Sequence, residues 1–224
     1  MHVSIVIPVL NEADCVVGLL ARLQPVRAAG HEVILADGGS RDATVALARP
    51  LVDRIVCPGR GRARQMNAGA AAARGDVLWF LHADSGVPAG AVRRILGAVR
   101  AGRPWGRFDV RLSGRDPMFR VIERAMNLRS RLTGIATGDQ GIFVTRALFE
   151  RVGGYPDIPL MEDIALSRAL KGHARPACLE GPLVTSSRRW EAQGTWRTIW
   201  LMWWLRAAYR LGVSPERLAR AYAR

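Results

Sequence analysis

Lysine is all but missing from this chain: Lys171 is the only one, so nearly all of the formal charge of +14 is carried by arginine. Cysteine is scarce as well. Cys15, Cys57 and Cys178 stand far apart with no C-x-x-C spacing, which excludes a zinc knuckle or a disulfide framework and leaves reduced thiols. The opening MHVSIVIPV lacks the basic segment, long apolar stretch and cleavage site of a signal peptide, so a cytoplasmic setting is expected. The aromatic segment at 195–211 has its longest uncharged run between Arg197 and Arg206, far short of the ~20 residues of a membrane span. Glycine cradles for phosphate are missing too. There is no Walker A string, and GRGRAR at 59–64 lacks the third glycine of a dinucleotide fingerprint. A bound nucleotide would therefore be held by polar strand ends.

Arginine in quantity is what the chain does have. Its planar guanidinium suits phosphate, so nucleic acid, nucleotide phosphates and anionic lipid are all candidate partners. A compositional bias toward arginine gives the same count, so charge alone assigns no function. The apolar share of 49% is ample for a sizeable core.

Through residue 100 strands alternate with helices. VSIVIPV (3–9), EVILA (32–36) and DRIVC (53–57) read as strands, and VLWFLHADS (77–85) is an apolar run stopping at a polar turn. Such runs mark strands buried on both faces of a parallel sheet. Helices are expected over Val16, Leu19, Leu20 and Leu23, broken at Gly30, and at 43–48, 63–73 and 89–100. Together these predict an α/β, doubly wound, mostly parallel sheet flanked by helices. Beyond residue 100 we expect a strand at 105–112, a helix at 117–132, a turn into a short strand at 138–146 and a helix at 162–171. The tryptophan-rich helix at 195–210 is apolar almost all round and reads as packed on the core, with some surface left for lipid headgroups.

The polar strand ends fall on one edge of such a sheet, where ligands of open α/β sheets bind. Strand one ends at Pro8, Asn11 and Glu12, strand two at Asp37, and strand four at His82 and Asp84. Helix capping explains any one cluster, since Asp84 and Ser85 could simply cap the next helix. It explains three together less well.

The strings IVIPVLNE, ADGGSRDAT, GRARQMNAGAAAARGDVLWFLHADS, GDQGIFV, MEDIALSRAL and SRRW occur in an order and spacing that resembles family 2 glycosyltransferases. That is the inverting class with a GT-A fold and a nucleotide-diphospho-sugar donor. A small bacterial subgroup without transmembrane helices, associated with radical-SAM or selenium-related partners or with carotenoid glucosylation, is the most similar. The resemblance implies one GT-A-like domain over 1–224, with a nucleotide-sugar half at 1–100 and an acceptor-side half at 101–224 on the same core. It implies donor contacts from Pro8, Asn11, Glu12, Asp37, Arg64, Asn67, His82, Ala83, Asp84, Arg188, Arg189 and Trp190. Arg62 is an alternative to Arg64 on the phosphates. It also implies Asp163 as general base with Glu162 beside it, and Asp139 with Gln140 on the acceptor side. Two departures stand out. The usual paired-Asp form of the second strand end is Asp37-Gly38-Gly39-Ser40 here, and the D-x-D element is His82-Ala83-Asp84. Asp84 and His82 would then share a divalent cation, Mg²⁺ or Mn²⁺.

The implied acceptor is a lipid or small molecule bearing a hydroxyl, with peripheral contact to anionic membrane and no nucleic acid. A nucleotidyltransferase would carry a glycine- and basic-rich signature after strand one, where Asn11 and Glu12 stand instead. A basic nucleic-acid module would interleave clustered arginines with aromatic platforms, whereas these arginines are dispersed. A degenerate transferase serving as a scaffold is the third alternative, suggested by His82.

Overall fold

The computed structural model describes residues 1–222, without the side chains of Arg189 and Gln193. Its first half runs β1 (Val3–Val9), α1 (Ala13–Ala28), β2 (Glu32–Asp37), α2 (Thr44–Ala48), β3 (Arg54–Val56), α3 (Arg62–Ala72), β4 (Val77–Phe80) and α4 (Ala91–Arg100). The second half adds β5 (Trp105–Leu112), α5 (Pro117–Thr133), β6 (Phe143–Thr145), α6 (Arg146–Arg151), α7 (Glu162–Lys171), β7 (Ala177–Thr185), α8 (Arg188–Gln193), α9 (Thr195–Arg210) and α10 (Pro215–Tyr222).

All seven strands join one sheet in the order β3-β2-β1-β4-β6-β5-β7, so strands from both halves of the chain are hydrogen-bonded neighbours. β6 runs antiparallel to both β4 and β5, and the other pairings are parallel. Helices cover both faces. On β1, Val3, Ile5 and Ile7 point into one core with Leu20, Leu23 and Ile95, while Val6 points into the other with Met66, Ala70 and Phe80. A strand packed on both sides needs no polar alternation, which is why these segments read as continuous apolar runs.

α3 lies unusually close to β1. A Cβ added at Gly69 would sit 2.3 Å from Val6 Cγ1, so only glycine lets the helix approach the strand there. That contact sets the height of α3 above the sheet edge.

β7 was not expected from the sequence. Its run ACLEGPLVT carries Gly181 in a left-handed conformation and Pro182, and its register with β5 slips between Phe108 and Val110. As the edge strand it tolerates a proline that a central strand would not.

The tryptophan-rich helix also departs from expectation. In α9, Trp196, Trp200, Trp203 and Trp204 are 53–72% exposed. Their spacing of four, three and one residues puts them on a single face, while Leu205 and Ala208 on the other side pack with Met161, Ile164 and Leu218. Leu205 and its neighbours alone satisfy the core, so the tryptophans stay outside. No helix among the described residues is long and apolar enough to cross a membrane.

Candidate active site

The carboxyl ends of β1 and β4 open onto a cleft of about 620 Å³. Pro8 and Glu12 line it from the first strand end, His82, Ala83 and Asp84 from the fourth, and Arg60, Arg62 and Gln65 from the loop and first turns of α3. Glu162 at the start of α7, Arg188 of α8, and Ala219 and Tyr222 of α10 complete its wall.

Hydrogen bonds shape this edge before any ligand arrives. Asp37 accepts from the Gly39 and Ser40 amides and, over 2.6 Å, from the Ser40 hydroxyl. The Asn11 amide donates to Ser40 Oγ, and Asn11 Oδ1 accepts from the Arg41 amide at 2.8 Å. Asp37 and Asn11 thus build the turn after β2 and stand outside the cleft lining. Gln65 Nε2 donates to the carbonyls of Val9 and Ala36 at 2.7 and 2.8 Å, stapling the ends of β1 and β2 together. This buried amide also accounts for Gly38, because a Cβ there would meet the Gln65 amide at 3.1 Å.

Among the described residues, Asn11 and Met161 are the non-glycine positions with positive φ, at 55° and 71°. Each directly precedes a glutamate of the cleft, Glu12 and Glu162. Holding such residues left-handed costs on the order of 1–3 kcal/mol, a strain that typically gathers at functional sites.

The electrostatics converge on Asp84. Burial, then the facing Glu12 carboxylate, pushes its pKa above the usual carboxylate range, with Asp139 adding to the rise and Arg188 opposing it. Burial lowers His82 to about 3, aided by Arg62, so the imidazole is neutral. Its Nε2 is packed toward Gly138, where a Cβ would fall only 2.7 Å away. Cys15 is raised to about 12 by burial and by its hydrogen bond to Glu12, which removes it as a nucleophile.

Glu162 is 4% exposed and pairs with Arg62 at 3.5 Å. Asp163 lies behind it, outside the cleft lining, where Oδ2 accepts from the Gly138 amide at 2.9 Å and Oδ1 from the Ile164 amide at 2.7 Å. Burial raises both carboxyls despite these donors. Asp139 Oδ1 is buried with no hydrogen-bond partner among the described residues.

No group of three or more metal-ligating side chains is assembled among the described residues. The surroundings of Asp84 nevertheless fit a divalent cation. Glu12 lines the same cleft, the charges of Glu12 and Asp139 both oppose that of Asp84, a repulsion that a cation would relieve, and a neutral imidazole stands two residues away.

Several expected contacts lie elsewhere. Arg64 turns away from the cleft to Asp157, with Nε 2.9 Å from Oδ2 on the exposed surface, and Arg60 and Arg62 take the cleft position. Asn67 is on the opposite side of α3, where it clasps the backbone of Tyr155 through Nδ2 to the carbonyl and Oδ1 to the amide. Trp190 is half-buried and packs against Leu112, Phe119 and Ile122. The side chain of Arg189 lies outside the described residues. Arg60, Gln65 and the α10 residues were missed by the sequence reading. A polar glutamine on the buried face of an otherwise alanine-rich helix was the available signal for Gln65.

The Glycosyl transferase family 2 profile matches residues 4–151. An uncharacterized glycosyltransferase of Mycobacterium tuberculosis is 35% identical over 167 residues, spanning 68% of this chain and 62% of that protein. Undecaprenyl-phosphate 4-deoxy-4-formamido-L-arabinose transferase of Pseudomonas fluorescens is 33% identical over 156 residues, spanning 62% of this chain and 44% of the relative. The chain therefore spans under two thirds of the length of these relatives. In three dimensions it is similar to glucosyl-3-phosphoglycerate synthase of M. tuberculosis, solved with Mn²⁺, UDP-glucose and phosphoglyceric acid. The TM-score is 0.63 at 21% identity, covering 82% of this chain and 71% of that one. The shared feature is the fold, a GT-A-like sheet flanked by helices.

Proposed function

The chain belongs to glycosyl transferase family 2, and from that premise we propose that the cleft at the ends of β1 and β4 binds a nucleotide-diphospho-sugar. The sugar is transferred to an acceptor hydroxyl by inverting displacement. One observation carries the reading: the carboxylates of Glu12 and Asp84 line the same cleft as the guanidinium groups of Arg60, Arg62 and Arg188. Carboxylates for a cation beside guanidinium donors make the charge pattern that a diphosphate and its counter-ion fill.

The mechanism follows from what these side chains can do. Asp84, with neutral His82 beside it, would hold a divalent cation, Mg²⁺ or Mn²⁺, which supplies Lewis-acid neutralisation of the departing diphosphate. Arg60, Arg62 and Arg188 donate charge-assisted hydrogen bonds to phosphate oxygens and stabilise the charge that grows there. Gln65 and the Asp37 turn fix the edge against which the base and ribose rest. Asp163 takes the proton of the attacking hydroxyl. Its raised pKa brings it closer to working pH, where a general base is most effective, and such help is typically worth roughly 10²–10⁴ in rate. Asp139, with a buried oxygen lacking a partner among the described residues, receives an acceptor hydroxyl.

The solved relative's Mn²⁺ and UDP-glucose support this choice of donor class. Thermal-shift measurements with UDP-, GDP- and dTDP-sugars, with and without Mn²⁺, test it. Stabilisation by one nucleotide series only when Mn²⁺ is present is expected. Equal melting with every donor and metal would refute it.

A further inference from the structure

A second cavity, of about 390 Å³, lies between α5, α7 and α9 and shares no lining residue with the donor cleft. Arg129, Arg168, Arg206 and Arg210 line it together with Trp203 and Tyr209. None of the four arginines forms an ion pair among the described residues. Arg129 Nε and Nη2 are buried there without any hydrogen-bond partner among the described residues. Arg168 stacks on the Tyr209 ring, 5.0 Å from its centroid.

Four guanidinium groups around one hollow repel one another, and buried unpaired donors cost more still. Burial and the facing Arg206 lower Arg129 to about 10, the direction expected of a cation short of an anion. A phosphate supplies the missing acceptors and offers oxygens to several planar donors at once. The rim of the hollow is apolar. Trp203 at its mouth continues into Trp200 and Trp204, and Leu128 and Leu132 of α5 flank Arg129, both more than half exposed. Tryptophan and arginine side by side suit the boundary between a headgroup and its acyl chain.

We infer that this cavity is the anion site of the acceptor: a phosphate-bearing amphiphile sets its phosphate among Arg129, Arg168, Arg206 and Arg210 and lays its apolar chain along Trp200, Trp203 and Trp204. The inference rests on the donor-cleft reading, because it is the neighbouring chemistry that makes the ligand an acceptor. Ile164, which lines the cavity, directly follows Asp163, and Arg129 feels the charges of both Asp139 and Asp163.

Dodecyl phosphate, dodecanol and glycerol 3-phosphate, each titrated into the whole chain and followed by calorimetry and tryptophan fluorescence, decide the matter. Dodecyl phosphate should bind at least about tenfold more tightly than either companion, and Arg206→Gln and Arg210→Gln should each weaken it by about tenfold. These two variants lie near the rim and keep the fold readable if Arg129→Gln does not fold. Equal binding of dodecyl phosphate and dodecanol, or wild-type affinity in both rim variants, would overturn the anion site. Glycerol 3-phosphate binding as tightly as dodecyl phosphate would overturn the lipid assignment. Binding of UDP, GDP and dTDP in the same samples separates the two readings. Intact binding of any one of them with no selectivity for dodecyl phosphate sinks this inference alone. Absent binding of all three in the presence of Mn²⁺ sinks the donor cleft, and the acceptor role of the cavity with it.

Discussion

The Gly138 amide donates to Asp163 Oδ2 over 2.9 Å, tying the turn that bears Asp139 to the first turn of α7. The proposed base and the acceptor-side carboxyl therefore move as one unit. In Asp163→Asn one of two accepting oxygens becomes a donor, so either Gly138 or Ile164 loses its acceptor. An orphaned amide costs about 1–3 kcal/mol, and a lower melting temperature is expected. The chemical loss should be far larger, with kcat falling by roughly 10² or more. Donor affinity, measured without acceptor, should hardly move. Near-normal turnover in the variant would leave Asp163 as a brace for the Gly138 turn and nothing more.

The pH dependence follows from the same burial. Asp163 must be ionised to accept a proton, and its pKa is raised, so the acid limb of the kcat/KM profile should lie above the ordinary carboxylate range. Glu162 is raised by burial and by Asp163. A carboxyl with a folded pKa above its unfolded value contributes stability below the unfolded pKa and loses it as pH climbs through the folded one. Glutamine does not titrate. The melting temperature of Glu162→Gln should thus gain on wild type as pH rises over the range above about 4, the unfolded value of a glutamate. A gap that narrows or reverses over that range would mean Glu162 is stabilised as an anion by Arg62.

Much of the fold was legible because β1, β2 and β4 are buried on both faces, and uninterrupted apolar runs such as VLWF at 77–80 say so. The acidic stop at Asp84 was legible for the same reason. Side-chain direction was not. Arg62 and Arg64 are two residues apart on α3, as are Gln65 and Asn67, and helical residues at that spacing point to different sides. The motif RARQMNAGA identifies the helix yet does not say which of its polar groups faces the cleft. Arg62 and Gln65 do; Arg64 and Asn67 do not. β7 escaped because Gly181 and Pro182 erase its alternation. The helix α9 was legible but its outward face was not, because the burial of Leu205 and Ala208 is enough to anchor it and leaves its tryptophans free to face outward.

Gly69 offers a test of how the cleft is supported. In Gly69→Ala the new methyl would overlap Val6, forcing α3 off β1 at a cost of about 1–3 kcal/mol in urea unfolding. Because Gln65 sits one turn earlier on the same helix, donor affinity should fall as well. Val6→Ala removes the colliding methyls, so the double variant should lose less than the sum of the two single changes. Additive losses would place the effect of Gly69 somewhere other than this contact.

Asp84→Asn separates a ligand for metal from a cap for the following turn. In the protein alone, burial and then the charges of Glu12 and Asp139 make the charge of Asp84 unwelcome. Asparagine keeps the size and removes the repulsion, so without metal or donor the variant should melt no lower than wild type. That is the usual mark of a residue kept for function at the expense of stability. Adding Mn²⁺ with the stabilising nucleotide sugar should raise the wild-type melting temperature and leave the variant almost unchanged, because ligand stabilisation scales with the logarithm of occupancy and the variant binds poorly. Turnover should be lost with it. A cap would behave in the opposite way: asparagine caps helices well, so metal-dependent stabilisation and turnover would both survive. Retention of both in Asp84→Asn would take the cation away from the end of β4.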